Sequence, residues 1–549
     1  MDKTRARPKG RAHHVGSYAR VTMRDVAEAA GVSPAAVSMA LSGRGRIGPE
    51  TRERILAVAE QLHYQLPGKA HRIPAEREVT VHAGRASASR LAPVVDLDVQ
   101  LQLLELELDQ RQQEGHDVAE VTPLIRRLRE KRPTLREIEA LHNRLGKLPM
   151  RTDYPYREPS DWEGIAAERP PALEFEAAFS AERLYDRIYG GWLGRCAGCT
   201  LGRPLEFMAP YEEVEAFLRR GNAYPLDGYV PEILPHPDFY AHAPEMAHFL
   251  RGHVRYAPRD DDLDYTILNL LTLEKYGPDF TSEQVARTWL EYLGFAMVYT
   301  AERVAYANLV NQYGPPDTAV HRNPFREFIG AQIRADVFGY AAPGLPDVAA
   351  ERAWRDARIS HVKNGIYGAM MVAAMVAAAF VAPDVETIVE VGLSTIPARS
   401  RMAAAVRAVM EQAREHHSWQ DIIACIMNDL EGYDPVHVLP NACIVVLALL
   451  WGQGDFERSI TTAAMCGLDA DCNAATVGSI VGVYRGASAL PGKWIEPLQD
   501  RLRSWVRDYN DNRISDLAHR TLAVARASLN AGNSEGAPAA FYGSVQVGG

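Results

Sequence analysis

Two stretches of this chain concentrate carboxylates where a helix is about to begin: APRDDDLDYT at 257–266 and GLDADCNAAT at 467–476. One Asp at a helix start is ordinarily a cap that satisfies a free N–H and complements the helix dipole. Three adjacent carboxylates, Asp260, Asp261 and Asp262, repel one another, and a cation among them is the main relief of that repulsion. Asp469 and Asp471 add two more carboxylates from a single turn. Oxygen donors of this type select Mg2+, Ca2+ or Mn2+, and the sequence lacks the matched Cys and His spacing that zinc uses. The expected chemistry is that of a hard divalent cation held between two helix starts.

The elements that must position these residues read as helices. From about Ala181 to Asn530 no strand pattern exceeds a few residues, which predicts one large all-α domain over 181–530. Gly190, Gly194 and Gly198, and again Gly478 and Gly482, recur at four-residue spacing and permit close helix contact in a compact bundle. The longest apolar run, YGAMMVAAMVAAAFVAP from Tyr367, is too short and too poorly flanked to span a membrane and predicts a buried helix. Residues 96–148 carry leucines at helical spacing, within an appendage and connector over 96–180. This small unit reads as a packing element of the next domain, with dimerisation as the alternative. Residues 67–95, with Pro67, Gly68, Pro74 and Pro93, predict a linker, and 531–549 an unstructured tail.

With 549 residues the chain has room for two to four domains, and 47% hydrophobic with 24% charged residues points to a globular protein. The net charge of −10 hides an asymmetry. Residues 1–70 hold 12 Lys or Arg against 6 Asp or Glu, so the head carries +6 and the remainder −16. A basic head on an acidic body fits a polyanion-binding module at the N-terminus. Residues 1–20 form an expected flexible basic arm without the apolar stretch of a secretory signal, which predicts a cytoplasmic location and no membrane contact. Six cysteines imply no disulfide framework, and Cys196 and Cys199 read as small packing residues on one helix face.

In the head, Val26, Ala27 and Ala30 repeat at helical spacing, Gly31 stops the helix, and Ser33 before Pro34 is an N-cap with proline in the first turn. Pro49 opens a third helix whose apolar face is Ile55, Leu56, Val58, Ala59 and Leu62. The string VTMRDVAEAAGVSPAAVSMALSGRGRIGPETRERILAVAEQLHY strongly resembles the helix-turn-helix DNA-binding domain of the lac repressor family, here over 21–66. The resemblance implies that Pro34, Ala35 and Met39 face base edges, while Ser33, Ser38 and Thr51 suit phosphate contacts. Met39 stands where many members offer arginine, and its purely apolar contact implies altered base specificity. The family also wedges a hinge helix into the minor groove, and Ala70 and Ile73 of GKAHRI hold similar spacing before Pro74. Two heads at half-site spacing are usual in that family, so a homodimer is one implied assembly on DNA, and binding as a monomer is the other.

The body resembles the ADP-ribosylglycohydrolase family over about 184–500. The likeness rests on DRIYGGWLGRCAGCTLGRPLE, the Asp260–Asp262 cluster, IGAQIRADVFGYAAPGLP, ISHVKNGIYGA and GLDADCNAATVGSIVGVYRGASALPGKW, in that order. It implies an all-α fold with two Mg2+ ions, Mn2+ being the alternative, that hydrolyses the bond joining ADP-ribose to a protein or small acceptor. Asp260, Asp261, Asp262, Asp469 and Asp471 are the implied ligands, with Cys472 at a further ligand position. Glu206 matches the mobile glutamate near the metals, and Glu206, Asp261 and Asp469 are the implied catalytic groups. Gln332, Arg334, His361, Asn364 and Gly365 fall where the family lines its ligand cleft. The family commonly has Ser or Thr at Asp260, Thr at Leu263 and Thr or Ser at Cys472.

Three functions stay open on the sequence. One is a DNA-binding transcriptional regulator whose body binds, and in its fullest form cleaves, an ADP-ribosylated or related N-glycosidic small molecule or protein. The second is a Mg2+-dependent ADP-ribosyl glycohydrolase localised by its head, and the third a catalytically inactive ligand sensor.

Overall fold

A computed structural model describes residues 23–33, 36–37, 40, 48–61, 97–131, 133–173, 175, 177–242, 245–532 and 545–547. The chain divides into two units, 1–92 and 93–549. In the first, α1 (Met23–Ala30) and α2 (Pro49–Gln61) flank a helical segment that includes Ala36, Val37 and Ala40. Gly31 ends α1 with φ +64°, a conformation that costs glycine little. The Ser33 hydroxyl accepts the Ala36 N–H at 3.3 Å, the expected cap. Val26, Ala27, Ala30, Val37, Ala40, Ile55 and Ala59 form the small core. The linker 67–95 and the arm 1–20 lie outside the described residues.

The second unit is helical throughout most of its described length. Its first element is a three-helix group, α3 (Leu97–Gln113), α4 (Thr122–Arg129) and α5 (Leu135–Leu145). The expected leucine face closes a core of Leu101, Leu104, Leu108, Ile125, Leu128, Ile138 and Leu145. The opposite side of α3 is also covered. Arg326 of the body meets Glu107 at 2.6 Å and Glu114 at 2.7 Å, and Gln110 donates to Glu327 at 2.7 Å. Arg401 then bridges Glu327 and Glu158, each at 2.8 Å. The group thus packs on the body through buried, mutually paired charges, a geometry that keeps the cost of burying them down.

The body is organised around α6 (Ala181–Gly202), α7 (Asp261–Tyr276), α8 (Lys363–Ala378), α9 (Arg401–Glu415), α10 (Val438–Gly452) and α11 (Ala470–Arg485). The long apolar run forms α8, buried along nearly its whole length. No helix among the described residues is long and apolar enough to cross a membrane. The glycine spacing has a direct cause. A Cβ on Gly194 would stand 2.0 Å from the Gly478 carbonyl, on Gly198 2.0 Å from that of Ala474, and on Gly202 2.2 Å from that of Ala470. Helices α6 and α11 therefore meet backbone to backbone.

Strands are minor. β1 (Ala177–Phe179) pairs in parallel with β4 (Val545–Val547), and β2 (Arg501–Arg503) antiparallel with β3 (Asp511–Arg513). Pairing at Val545–Val547 corrects the expectation of a wholly unstructured tail: Val-Gln-Val has the β-branched alternation that suits an edge strand.

Candidate functional site

Both aspartate clusters stand at helix starts, as their spacing predicts. Asp260 is the N-cap of α7 and accepts the Asp262 N–H at 3.1 Å. Asp469 begins α11 after a kink in which Gly467 and Leu468 both take positive φ. The two starts are locked by neighbours. Arg195 of α6, fully buried, reaches Asp262 and Asp336 at 2.9 Å each and Thr266 at 2.8 Å. Asn441 of α10 accepts from the Asn473 side chain at 2.8 Å and from the Asp469 N–H at 3.4 Å, which fixes the turn that carries Asp469 and Asp471.

The clusters converge on a cleft of about 280 Å³. Its wall includes Arg203, Glu206, Arg259, Asp261, Tyr265, Tyr299, Glu302, Asp469, Asp471 and Cys472. Asp260 and Asp262 lie buried behind it. Among these, Asp262 Oδ2, Asp469 Oδ1 and Asp471 Oδ1 are buried without a hydrogen-bond partner. Burial, reinforced by the charge of Asp260, pushes Asp261 up to about 7. Burial and then neighbouring carboxylates push Asp471 well above the usual carboxylate range, and burial does the same to Asp262 despite Arg195.

Beside Arg195 and Arg259, a third arginine partly answers this charge. Arg203 pairs with Glu206 and stands 3.3 Å from Asp471 and 3.7 Å from Asp260. Burial disfavours its charge, but Asp471 and Asp260 outweigh that and hold the guanidinium above its ordinary range. Several buried carboxylates with unpartnered oxygens are a donor set that fits a divalent cation. Sulfur is present too. Cys472 lies with Asp469 and Asp471, and Cys199 with Asp260 and Asp262, each trio having ligand atoms within 4.8 Å of one another. Carboxylate oxygens suit Mg2+; the two sulfurs do not.

None of the five expected ligand-binding residues stands on the wall of that cleft. Arg334 is fully buried and binds Glu302 and Asp356 at 2.5 Å each, donates to the Gly330 carbonyl at 3.1 Å and lies over the Tyr265 ring, so it backs the cleft wall by fixing residues that line it. His361 is enclosed, its Nδ1 2.8 Å from the Ser360 hydroxyl and 3.8 Å from Glu302. Burial and the Arg334 charge hold it well below the ordinary histidine range, hence neutral. Asn364 donates to Glu158 and Glu327 at 2.8 Å each, inside the network that joins α3 to the body. At Gly365 a Cβ would stand 2.7 Å from the Arg326 carbonyl, so its role is close packing. Gln332 is buried with both amide atoms unpartnered. The signature segments hold these residues because they build the shell behind the site.

Sequence reasoning missed Arg203, Arg259, Tyr299 and Glu302. Arg203 and Arg259 carried a usable signal, each within three residues of an acid already singled out. Tyr299 and Glu302 come from another segment and carried none. In the head, Ser33 caps its helix and Thr51 is half-buried in α2. Pro34, Ala35, Ser38, Met39, Ala70 and Ile73 lie outside the described residues.

An all-α body with an acidic cleft between two helix starts defines the class, and comparison with known proteins defines the family. Residues 180–528 match the ADP-ribosylglycohydrolase family, and the chain belongs to it. Residues 22–66 match the bacterial regulatory proteins of the lacI family. The sucrose operon repressor of Klebsiella pneumoniae is 57% identical over 49 residues, 8% of this chain and 15% of its own. The HTH-type transcriptional regulator pepR1 of Lactobacillus delbrueckii subsp. lactis is 41% identical over 61 residues, 11% of this chain and 18% of its own. The likeness to these regulators is thus confined to a small part of each. A solved structure described as an ADP-ribosylglycohydrolase-related protein complex is similar over 63% of this chain and 99% of its own, at 20% identity and a TM-score of 0.42.

Proposed function

We propose that this protein is a DNA-binding regulator whose body binds an ADP-ribosylated or related N-glycosidic ligand and hydrolyses it with a divalent cation. The observation that carries the reading is the convergence of Asp261, Asp469 and Asp471 on one cleft, with unpartnered buried oxygens on Asp469 and Asp471, in a chain that also bears a LacI-type head. A cation bound there would align the ribose hydroxyls and polarise the attacking water. The family resemblance implies Mg2+.

The chain's own groups supply the rest. Glu206 stands on the cleft wall, where it can take the proton of the water that adds to the anomeric carbon as the glycosidic bond breaks. Its carboxylate is paired with Arg203, so the transfer requires that pair to open. Asp261, Asp469 and Asp471 would hold the cation. Glu302, clamped by Arg334, and Tyr299 present fixed polar groups to the sugar. Arg259, pinned to Asp264 at 2.9 Å, places positive charge on the same wall, suited to a phosphate-bearing ligand.

Incubation of the full chain with divalent cations and ADP-ribosyl-arginine or ADP-ribosyl-serine tests the enzyme reading. Release of ADP-ribose, absent in Asp261→Ala and Asp469→Ala, is expected. Ligand binding without turnover under every cation would leave the inactive sensor in its place.

A further inference from the structure

Folding brings two thiols from separate helices to the acidic centre. Cys472 follows Asp471 in the first turn of α11, and Cys199 sits in the last turn of α6. Each belongs to a trio with two carboxylates whose ligand atoms are mutually within 4.8 Å. A separate observation shows that these trios want a positive partner: Asp262 in one, and Asp469 and Asp471 in the other, each keep a buried oxygen that nothing in the protein satisfies. The thiols cannot withdraw. Gly198, beside Cys199, would bring a Cβ to 2.0 Å from the Ala474 carbonyl, so α6 is pressed against the very turn that carries Cys472.

Mg2+ takes oxygen donors in near-octahedral array, and sulfur at two positions of the donor set is foreign to that preference. Borderline first-row cations accept carboxylate and thiolate together at short range, and bind such mixed sites more tightly than Mg2+. Resting on the reading above that this is a cation centre, we infer that it takes thiophilic divalent ions of the Zn2+, Co2+ or Fe2+ class in preference to Mg2+, with Cys199 the sulfur donor of one trio and Cys472 that of the other. The metal and the two donors differ from what the family resemblance alone implies, and the difference lies in this chain's own residues.

Co2+ is the probe, because thiolate bound to cobalt gives a near-ultraviolet charge-transfer band whether or not the protein turns over any substrate. The full chain is stripped with chelator, reduced, and titrated anaerobically. Cys425, half-exposed 3.8 Å from His416, is replaced by Ser throughout so that it adds no signal. The expected result is a charge-transfer band that saturates with Co2+, is bleached by Zn2+ and resists a large excess of Mg2+. Cys472→Ser and Cys199→Ser each weaken the band, and the double variant lacks it. Melting curves and Cys→Ala versions of the same positions show that the fold survives. Saturable Co2+ binding without the band, a band indifferent to both substitutions, or displacement by Mg2+ overturns the inference while leaving a cation centre. Calorimetry that finds no binding of Co2+, Zn2+ or Mg2+ overturns the cation reading beneath it as well.

Discussion

At the scale of single residues, the site depends on side chains that hold other side chains. Arg195 touches no open space, yet it fixes Asp262 and neutralises Asp336. Removing one partner from a buried pair leaves an uncompensated charge, so Arg195→Met is expected to cost about 3–5 kcal/mol in chemical denaturation. Glu206 is different, because it stands on the cleft wall. Glu206→Gln should leave the denaturation midpoint and cation affinity nearly unchanged while lowering ADP-ribose release by about 10²–10⁴-fold. Two buried histidines set the acid sensitivity of the body. His361 is held well below its ordinary range and His437 down to about 3, both chiefly by burial. Above about pH 6.5 folded and unfolded chains are both neutral at these sites, so nothing is gained or lost. Below it the unfolded chain takes up protons that the folded chain refuses, and stability falls as pH drops toward 3. From pH 7.5 to 5.5 His437 should cost about 1.4 kcal/mol. His437→Asn, which retains an N-cap acceptor for α10, should therefore lose about 1.4 kcal/mol less than the parent between the two values in denaturation curves.

At the scale of elements, the seam between α6 and α11 decides where the donors stand. Gly→Ala inside a helix ordinarily stabilises by about 0.5–1 kcal/mol. Gly194→Ala and Gly198→Ala are expected to do the opposite, losing about 1–3 kcal/mol, because the new methyl would enter the opposing backbone. Cation affinity, read by calorimetry, should fall with stability in Gly198→Ala, since that glycine neighbours Cys199 and faces the start of α11. The same seam shows what the sequence revealed and what it did not. The glycine spacing announced close helices, and the aspartate runs announced helix starts, because both are local patterns. Cys199 read as packing because its carboxylate neighbours arrive only when α6 crosses α7. Asn364 read as a cleft residue by family resemblance, and its actual partners, Glu158 and the Met402 N–H, lie far off in sequence. Nothing local marks Glu107 and Gln110 of α3, or Glu114 just after it, as buried, because the arginine that covers Glu107 and Glu114 is the distant Arg326.

At the scale of the whole molecule, the two units carry separable chemistry. Binding to the chain's own promoter region should weaken steeply as salt rises, because phosphate contacts release counterions. Deleting residues 1–66 should abolish that binding in mobility-shift assays and leave cation binding intact. Equal DNA binding by the shortened chain would remove the regulator reading. A second cut gives a different outcome. The family match begins at residue 180, but Arg326 depends on Glu107 and Glu114, and Arg401 on Glu158, all ahead of that line. Each severed buried pair costs about 3–5 kcal/mol, against a typical total stability of about 5–15 kcal/mol. The edge drawn by common descent and the edge drawn by cooperative unfolding therefore do not coincide: whatever lineage first supplied the helices of the acidic cleft, the segment from residue 97 onward has become part of what must fold for them to stand.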